Sequence, residues 1–335
     1  MQRTLSIVFL ILGFAVAALA QSDEFTPLPT IRIEKDVNLR RGPSKTNARL
    51  KVLKPATEVR LVDDHTSGGF YRVIFGKGRL GWVWAKNVRP PDSPVAKTAS
   101  KAASPPCASP LDQCPADGCG EPGSAQAVLN STKRRQPSGT NSRTLTFADL
   151  KNLQQRASDL VGQHNELTQA ERDQLANLTV SSGTVHEGSL VKVRGFLAQG
   201  LDPHANSSGE SVNCRLTGQD QNDFHISIVR SAGEDEFKGV VVEMVPQDRN
   251  PGWTLTKLKN IKQQKRRVLV IGALFYDNIH IVNDDPNHPL GGQPKRTSLW
   301  EVHRITKVFV CTKASNNCNS TSTGATSGWK ALEDF

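Results

Sequence analysis

After residue 20 the sequence holds no apolar run long enough to span a bilayer. It also lacks the short motifs that announce a chemistry. No HExxH segment sets two imidazoles on one helical turn for zinc, and no glycine-rich loop is built to cradle a phosphate. No serine or cysteine stands in a recognisable nucleophile elbow. No two cysteines have the tight CxxC spacing of a metal clip. These absences exclude a bilayer-spanning helical protein after residue 20 and leave no ready-made catalytic motif.

What is present begins with "MQRTLSIVFLILGFAVAALA", one Arg followed by an apolar run ending in Ala18-Leu19-Ala20. That pattern predicts a cleaved signal peptide over residues 1–20, and no Cys at the cut points to a lipid anchor. An exported, soluble protein, periplasmic or extracellular, is the expectation. Export suits the six cysteines, Cys107, Cys114, Cys119, Cys214, Cys311 and Cys318, to disulfides rather than zinc. Three of them fall in a linker-like stretch and three in the last domain. If all are oxidised, at least one bridge must join the two.

The net charge of +10 is unevenly spread. Gln21 to Pro90 carries fourteen Lys or Arg against seven Asp or Glu, and Pro91 to Leu145 six against four. The remainder, from Thr146, balances at twenty-one each. A cationic excess attracts polyanions through a salt-sensitive force that is blind to sequence. In an exported protein those are envelope polymers and lipid head groups before nucleic acid.

After a lead at residues 21–35, residues 36–90 hold short β-type runs broken by turn residues, the pattern of a small barrel or sandwich. Asn38-Leu39-Arg40, Gly42-Pro43, the Lys54-Pro55-Ala56-Thr57 turn and Gly81-Trp82-Val83 stand in the order and spacing of the bacterial-type SH3 domain, which this module resembles. The turn after Leu53 departs from the family, with Lys-Pro-Ala in place of the more usual Lys-Lys-Gly. The resemblance implies an SH3-like barrel that binds cell-wall peptide, glycan or an anionic envelope polymer. Tyr71, Trp82 and Trp84 are its candidate ligand contacts, since aromatic rings offer stacking faces. Against that, Trp82 follows the turn glycine and suits the core, with Trp84 on the same face. Nothing in the module pairs a nucleophile with a base.

Residues 91–145 are rich in Pro, Ser, Ala, Lys and Gly and read as a disordered linker, locally stapled by cysteines, with "KRR" at 133–135 a solvated patch. Over 146–180 the period becomes helical. Thr146 and Asp149 cap a helix that repeats Leu150, Leu153, Ala157, Leu160 and Val161. Thr168 and Glu171 form a capping box for a second, so a helical hairpin is predicted.

Residues 181–318 give strand, strand, strand, helix, strand, strand, the order of a five-stranded OB barrel, followed by a tail at 319–335. Gly195 and Gly272 suit the bends a closed barrel needs. The chain is therefore mainly β. This half resembles a group of exported bacterial OB-like proteins with no assigned biochemistry, through Cys214, Asp223, His225, Ile226, Glu243, Asp277, His280, Trp300, Glu301 and His303. Arg304 follows His303 where that pattern has Pro.

Within these strands "LWEVHRI", Leu299 to Ile305, sets Glu301 and His303 on one face of an otherwise apolar strand. His225, Glu243, Asp277, His280, Glu301 and His303 thus form a candidate cluster. Imidazoles and carboxylates of this kind hold zinc or another divalent transition metal, and a further carboxylate could serve as general base. The same groups equally make a satisfied polar network that pins strand register. No cofactor is demanded by the sequence. Two readings follow: an envelope-binding protein whose barrel takes a ligand or partner, without enzymatic activity, or a metal-dependent hydrolase acting on an envelope polymer. Nucleic acid is disfavoured by export and by the neutral last domain; the basic run Lys257 to Arg267 decorates a helix face.

Overall fold

The computed structural model describes residues 30–76, 79–89, 107, 109–162, 167–206, 209–283, 295–324 and 326–335. The signal peptide expected at 1–20 lies outside the described residues, as does the first part of the linker.

In the first module, β1 (Thr30–Ile33), β2 (Val37–Arg40), β3 (Arg49–Leu53), β4 (Glu58–Ser67), β5 (Phe70–Phe75), β6 (Arg79–Trp84) and β7 (Val88–Arg89) form one antiparallel sheet in the order β3-β2-β6-β5-β4-β1-β7. Alternation sets its core. Ile31, Ile33, Val37, Leu39, Val73 and Val83 point inward and pack into one cluster. Gly81 lets β6 cross β2 closely, since a Cβ there would lie 2.6 Å from the Leu39 side chain. The turn between β3 and β4 places Ala56 at φ 67°, the left-handed region where the family's glycine would cost nothing.

The chain that follows departs from the sequence reading. Residues 109–145, expected as disordered linker, carry α1 (Ala125–Lys133) and β8 (Ser138–Leu145). Ser124 caps α1 by accepting from the Ala127 amide, and β8 pairs in parallel with a barrel strand. Disulfides supply what apolar residues do not: Cys107 bonds Cys119, and Cys114 bonds Cys214 across 100 positions. Closing a loop of that length stabilises a fold by on the order of 4–5 kcal/mol in the chain-entropy model.

Next come α2 (Phe147–Leu160) and α3 (Gln169–Asp173), each opened by the predicted capping box. Leu150, Leu153 and Ala157 are buried, while Leu160 is exposed. The expected hairpin is not formed, because α3 is one short turn and the chain passes to β9 (Leu178–Val180) and β10 (Gly183–Val185), a β-hairpin.

The barrel consists of β11 (Ser189–Leu197), β13 (Phe224–Val229), β14 (Val240–Met244), β15 (Arg267–Tyr276) and β16 (Trp300–Cys311), with the short β12 (His204–Ala205) edging β13. Ladders join β11 to β13, β13 to β14, β14 to β16 in parallel, β16 to β15 and β15 back to β11, so the ring closes. The helix α4 (Leu255–Gln263) lies between β14 and β15, which is the OB-like order. Val191, Val193, Ile226, Ile228, Val240, Val242, Val268, Val270 and Val302 fill the interior. Both predicted glycines sit at seams: a Cβ on Gly195 would meet the Val229 carbonyl at 2.4 Å, and one on Gly272 the Arg304 carbonyl at 2.3 Å. Residues 319–335 are no loose tail, since β17 (Trp329–Ala331) pairs with β16, Leu332 is buried and Glu333 accepts from the Trp253 indole at 2.8 Å.

Left-handed backbone costs a residue with a Cβ about 1–2 kcal/mol. Ala56→Gly is therefore expected to stabilise the first module by about 1 kcal/mol, read as a higher denaturation midpoint. An unchanged or lower midpoint would contradict the strained-turn reading.

Candidate polar site on the barrel wall

The inward residues of β13, β14 and β16 are aliphatic or aromatic, so the residues between them face outward. His225, Glu243 and His303 are those outward residues, and strand register sets them in a row: His225 opposite Glu243, and Glu243 opposite His303. Glu301 joins the same face, as the spacing around Val302 predicts. The cluster is thus on the outer wall of the barrel, yet Glu243 is 1% exposed and His303 0%, and only His225 at the end of the row is partly exposed.

The cover is the segment read as linker. The carbonyl of Lys133, the last residue of α1, accepts from His303 Nδ1 at 3.0 Å. Its ammonium, also buried, lies 4.0 Å from Glu243 Oε2. The expected solvated "KRR" patch is corrected here, at least for Lys133. Arg134 holds the cover to the 210–214 turn by donating to the Val212 carbonyl at 3.1 Å, and Asn130 donates to Ser211 Oγ at 2.9 Å. The Cys114–Cys214 bridge ties the same two segments.

Each imidazole meets acceptors on both nitrogens. His225 Nε2 lies 2.9 Å from Glu210 Oε1 and its Nδ1 lies 2.7 Å from Glu243 Oε1. His303 Nε2 donates to Asp223 Oδ2 at 3.0 Å and forms an ion pair with Glu243 Oε2 at 2.9 Å. A neutral imidazole has one donor, so two acceptors per ring call for the imidazolium. Burial opposes that charge, but the Asp223 and Glu243 carboxylates outweigh it and push the His303 pKa up to about 10. His225 is likewise held well above its ordinary value against burial, by Glu243 and Glu210. Burial would raise Glu243, but His225 and Lys133 hold it well below the usual carboxylate range. Asp223 is also lowered, burial being outweighed by its hydrogen bond from His303. Glu210, Asp223 and Glu243 therefore face His225, His303 and Lys133, and the charges balance.

The other candidates gather around a residue the sequence reading did not single out. Arg296, 0% exposed, pairs with Asp277 Oδ2 at 3.1 Å and with Glu301. The same Asp277 oxygen contacts His280 Nδ1. Burial, with Glu243 and Asp277 nearby, raises Glu301 well above the usual carboxylate range. So the six predicted residues do not converge on one point. They divide into a row across three strands and a knot about Arg296.

Among the described residues, Asp223, Glu243 and His303 present ligand atoms within 4.8 Å of one another, as a metal triad would. His303 donates its Nδ1 proton to a carbonyl, as ligand histidines do. A metal would need the Nε2 lone pair in place of its proton, beside a Lys133 ammonium that already serves Glu243. Hydrolysis further needs an open coordination position, and these three groups are buried at 1% or less. The arrangement fits a charge-balanced network better than a catalytic ion.

On the first module the three candidate aromatics separate. Trp82 is buried at 7%, with the Arg72 guanidinium 5.8 Å over its ring, which removes it from the candidate contacts. Tyr71 and Trp84 are half-buried. Trp84 rests on Gly69, whose missing side chain makes room for the ring, meets Phe70 edge-on at 4.8 Å and carries Lys45 at 5.2 Å from its centroid.

Residues 35–89 match the family model of the bacterial SH3 domain, and this segment is such a domain. Domains of this family are commonly cell-wall binding modules. A search of curated proteins finds no match to the chain.

His303 titrates higher in the fold than unfolded, so its stabilisation is complete below pH about 6.5 and is lost as pH rises through about 10. Glu301 acts with the same sign, since its protonated form is favoured in the fold and its contribution falls as pH rises above the unfolded value. Asp223 and Glu243 act oppositely, losing their contribution as pH falls through their depressed values. His303→Gln strands two buried carboxylates and is expected to cost about 3–5 kcal/mol at pH 7, with a shallower loss of stability between pH 7 and 10. Denaturant titrations across that range check it; a variant as stable as wild type with the same alkaline slope would refute it.

Proposed function

We propose that this is an exported envelope-binding protein whose SH3 domain holds cell-wall peptide, glycan or an anionic envelope polymer, and whose OB-like barrel engages a second ligand or partner. The observation that carries the reading is the SH3 domain at residues 35–89, in a region with a cationic excess. Three disulfides suit an oxidising compartment. Among the described residues no helix is long and apolar enough to cross a membrane. The resemblance of the barrel to exported bacterial OB-like proteins agrees with this setting.

Trp84 and Lys45 form the recognition unit of the proposal. An indole offers a stacking face to a sugar ring, and the ammonium beside it pairs with a carboxylate or phosphate on the same polymer. The hydrolase alternative has nothing comparable behind it, because its His and Glu groups are enclosed and mutually neutralised.

Co-sedimentation of the full chain with purified, protein-free wall material tests this. The intact protein should sediment with the wall, less so as salt rises, and Trp84→Ala should weaken binding by about ten-fold, in keeping with an anchor worth 1–2 kcal/mol. Absence of sedimentation at low salt, or full binding by Trp84→Ala, would count against it.

A further inference from the structure

An open, positively charged cleft lies elsewhere on the barrel wall. In the β11–β15 ladder Arg194 is opposite Leu269, and Phe196 is opposite Arg267. Cross-strand partners share a face, and Leu269 and Arg267 are two apart, so Arg194 and Arg267 are diagonal neighbours on the outer face. With Arg230, just beyond β13, they line a cleft of about 910 Å³. Phe147, Ser231 and Thr321 contribute an aromatic ring and two hydroxyls to its walls.

Among the described residues none of these three arginines has a carboxylate partner. Arg267 donates to Asn319 Oδ1 at 2.5 Å and lies 5.0 Å over the Phe196 ring. Burial and the charge of Arg267 both push the Arg194 guanidinium below its ordinary value, the mark of like charges kept together. The acid of the adjoining helix turn, Asp149, is engaged by Thr146 and by the Ser181 amide and hydroxyl. Thr146, Phe147 and Ala148, the N-terminal turn of the 14-residue α2, also line the cleft. First-turn amides lack intrahelical acceptors and favour a negative charge. Elsewhere along the same basic run Lys262 pairs with Asp202 at 2.7 Å, and Lys257 donates to the Glu333 carbonyl at 2.7 Å.

We propose that this cleft binds a phosphorylated, sugar-sized unit, either a free sugar phosphate or one repeat of an anionic polymer. Guanidinium forks match the oxygens of a phosphate, and several converging forks exceed what a lone carboxylate can use. The volume is far above that of a bare ion and within the range of about 300–1,000 Å³ typical of small-molecule sites. Phe147 gives a ring face for the sugar, and the hydroxyls suit its polar edge. This site is separate from the SH3 surface and does not depend on it.

The test is calorimetry on the full chain with glucose 6-phosphate, glucose and galacturonate. Glucose 6-phosphate should bind at least about ten-fold more tightly than either, since charge-assisted hydrogen bonds to a dianionic phosphate are stronger than neutral ones. Arg194→Gln with Arg267→Gln should lose that preference while keeping or raising the unliganded Tm, because like-charge repulsion is relieved. Arg230→Gln, at an exposed position, serves as the second variant and should weaken binding in the same sense. Equal affinity for glucose and glucose 6-phosphate, galacturonate binding as tightly as the phosphate, or unaltered binding by both variants would overturn the proposal. Poly(glycerol phosphate) run in parallel separates the sources: tighter binding per site than the monoester assigns a polymer repeat, and weaker binding assigns a free sugar phosphate.

Discussion

Glu243 stands between two imidazolium rings on the outer wall of a barrel whose interior is apolar. A bare barrel would leave that row in water, where each group could stay hydrated and the row would organise nothing. Here Glu243 and His303 are buried and His225 is largely covered, and burial demands complementary charge, because a buried ion left without its partner costs several kcal/mol. The cover therefore has to bring Lys133, a carbonyl for His303 and a carboxylate for His225 to fixed places. The segment 109–133 and the 210–214 turn do so, and the Cys114–Cys214 bridge holds them together. Cover, row and bridge form one structural unit.

Much of the barrel was legible in the sequence, because strands and helix announce themselves by period. The runs "SLVKVRGFLAQ", "DFHISIVR", "GVVVEMVP", "RRVLVIGALFYD" and "SLWEVHRITKVFVCT" contain the observed strands within two residues at each end. The capping boxes at Thr146 and Thr168 were legible for the same reason, since their chemistry is local. The cover was not. Residues 109–145 have too few aliphatic positions to show a period, and their order comes from disulfides, from the ladder of β8 with β11 and from hydrogen bonds and buried groups such as those of Asn130 and Lys133.

The candidate site was legible in its membership and not in its grouping. Alternation places His225, Glu243, Glu301 and His303 on outward faces, but only register shows that His225, Glu243 and His303 stand side by side. Glu210, Lys133 and Arg296 carry no local signal, because each reaches its partner across a loop or from another segment. Trp82 shows the converse. Its place after a turn glycine favours burial over ligand contact, but the Arg72 guanidinium over its ring is seen only in the folded chain.

The row is a proton-bearing, charge-neutral network, with His303 as an imidazolium. The most direct measurement is the protonation of the His303 ring by nitrogen-15 NMR of histidine-labelled protein at pH 8, assigned with His303→Gln. Both ring nitrogens should carry protons at that pH, with deprotonation only as pH nears about 10. An unprotonated Nε2 at pH 8, whether as the free tautomer or bound to a metal, would contradict it.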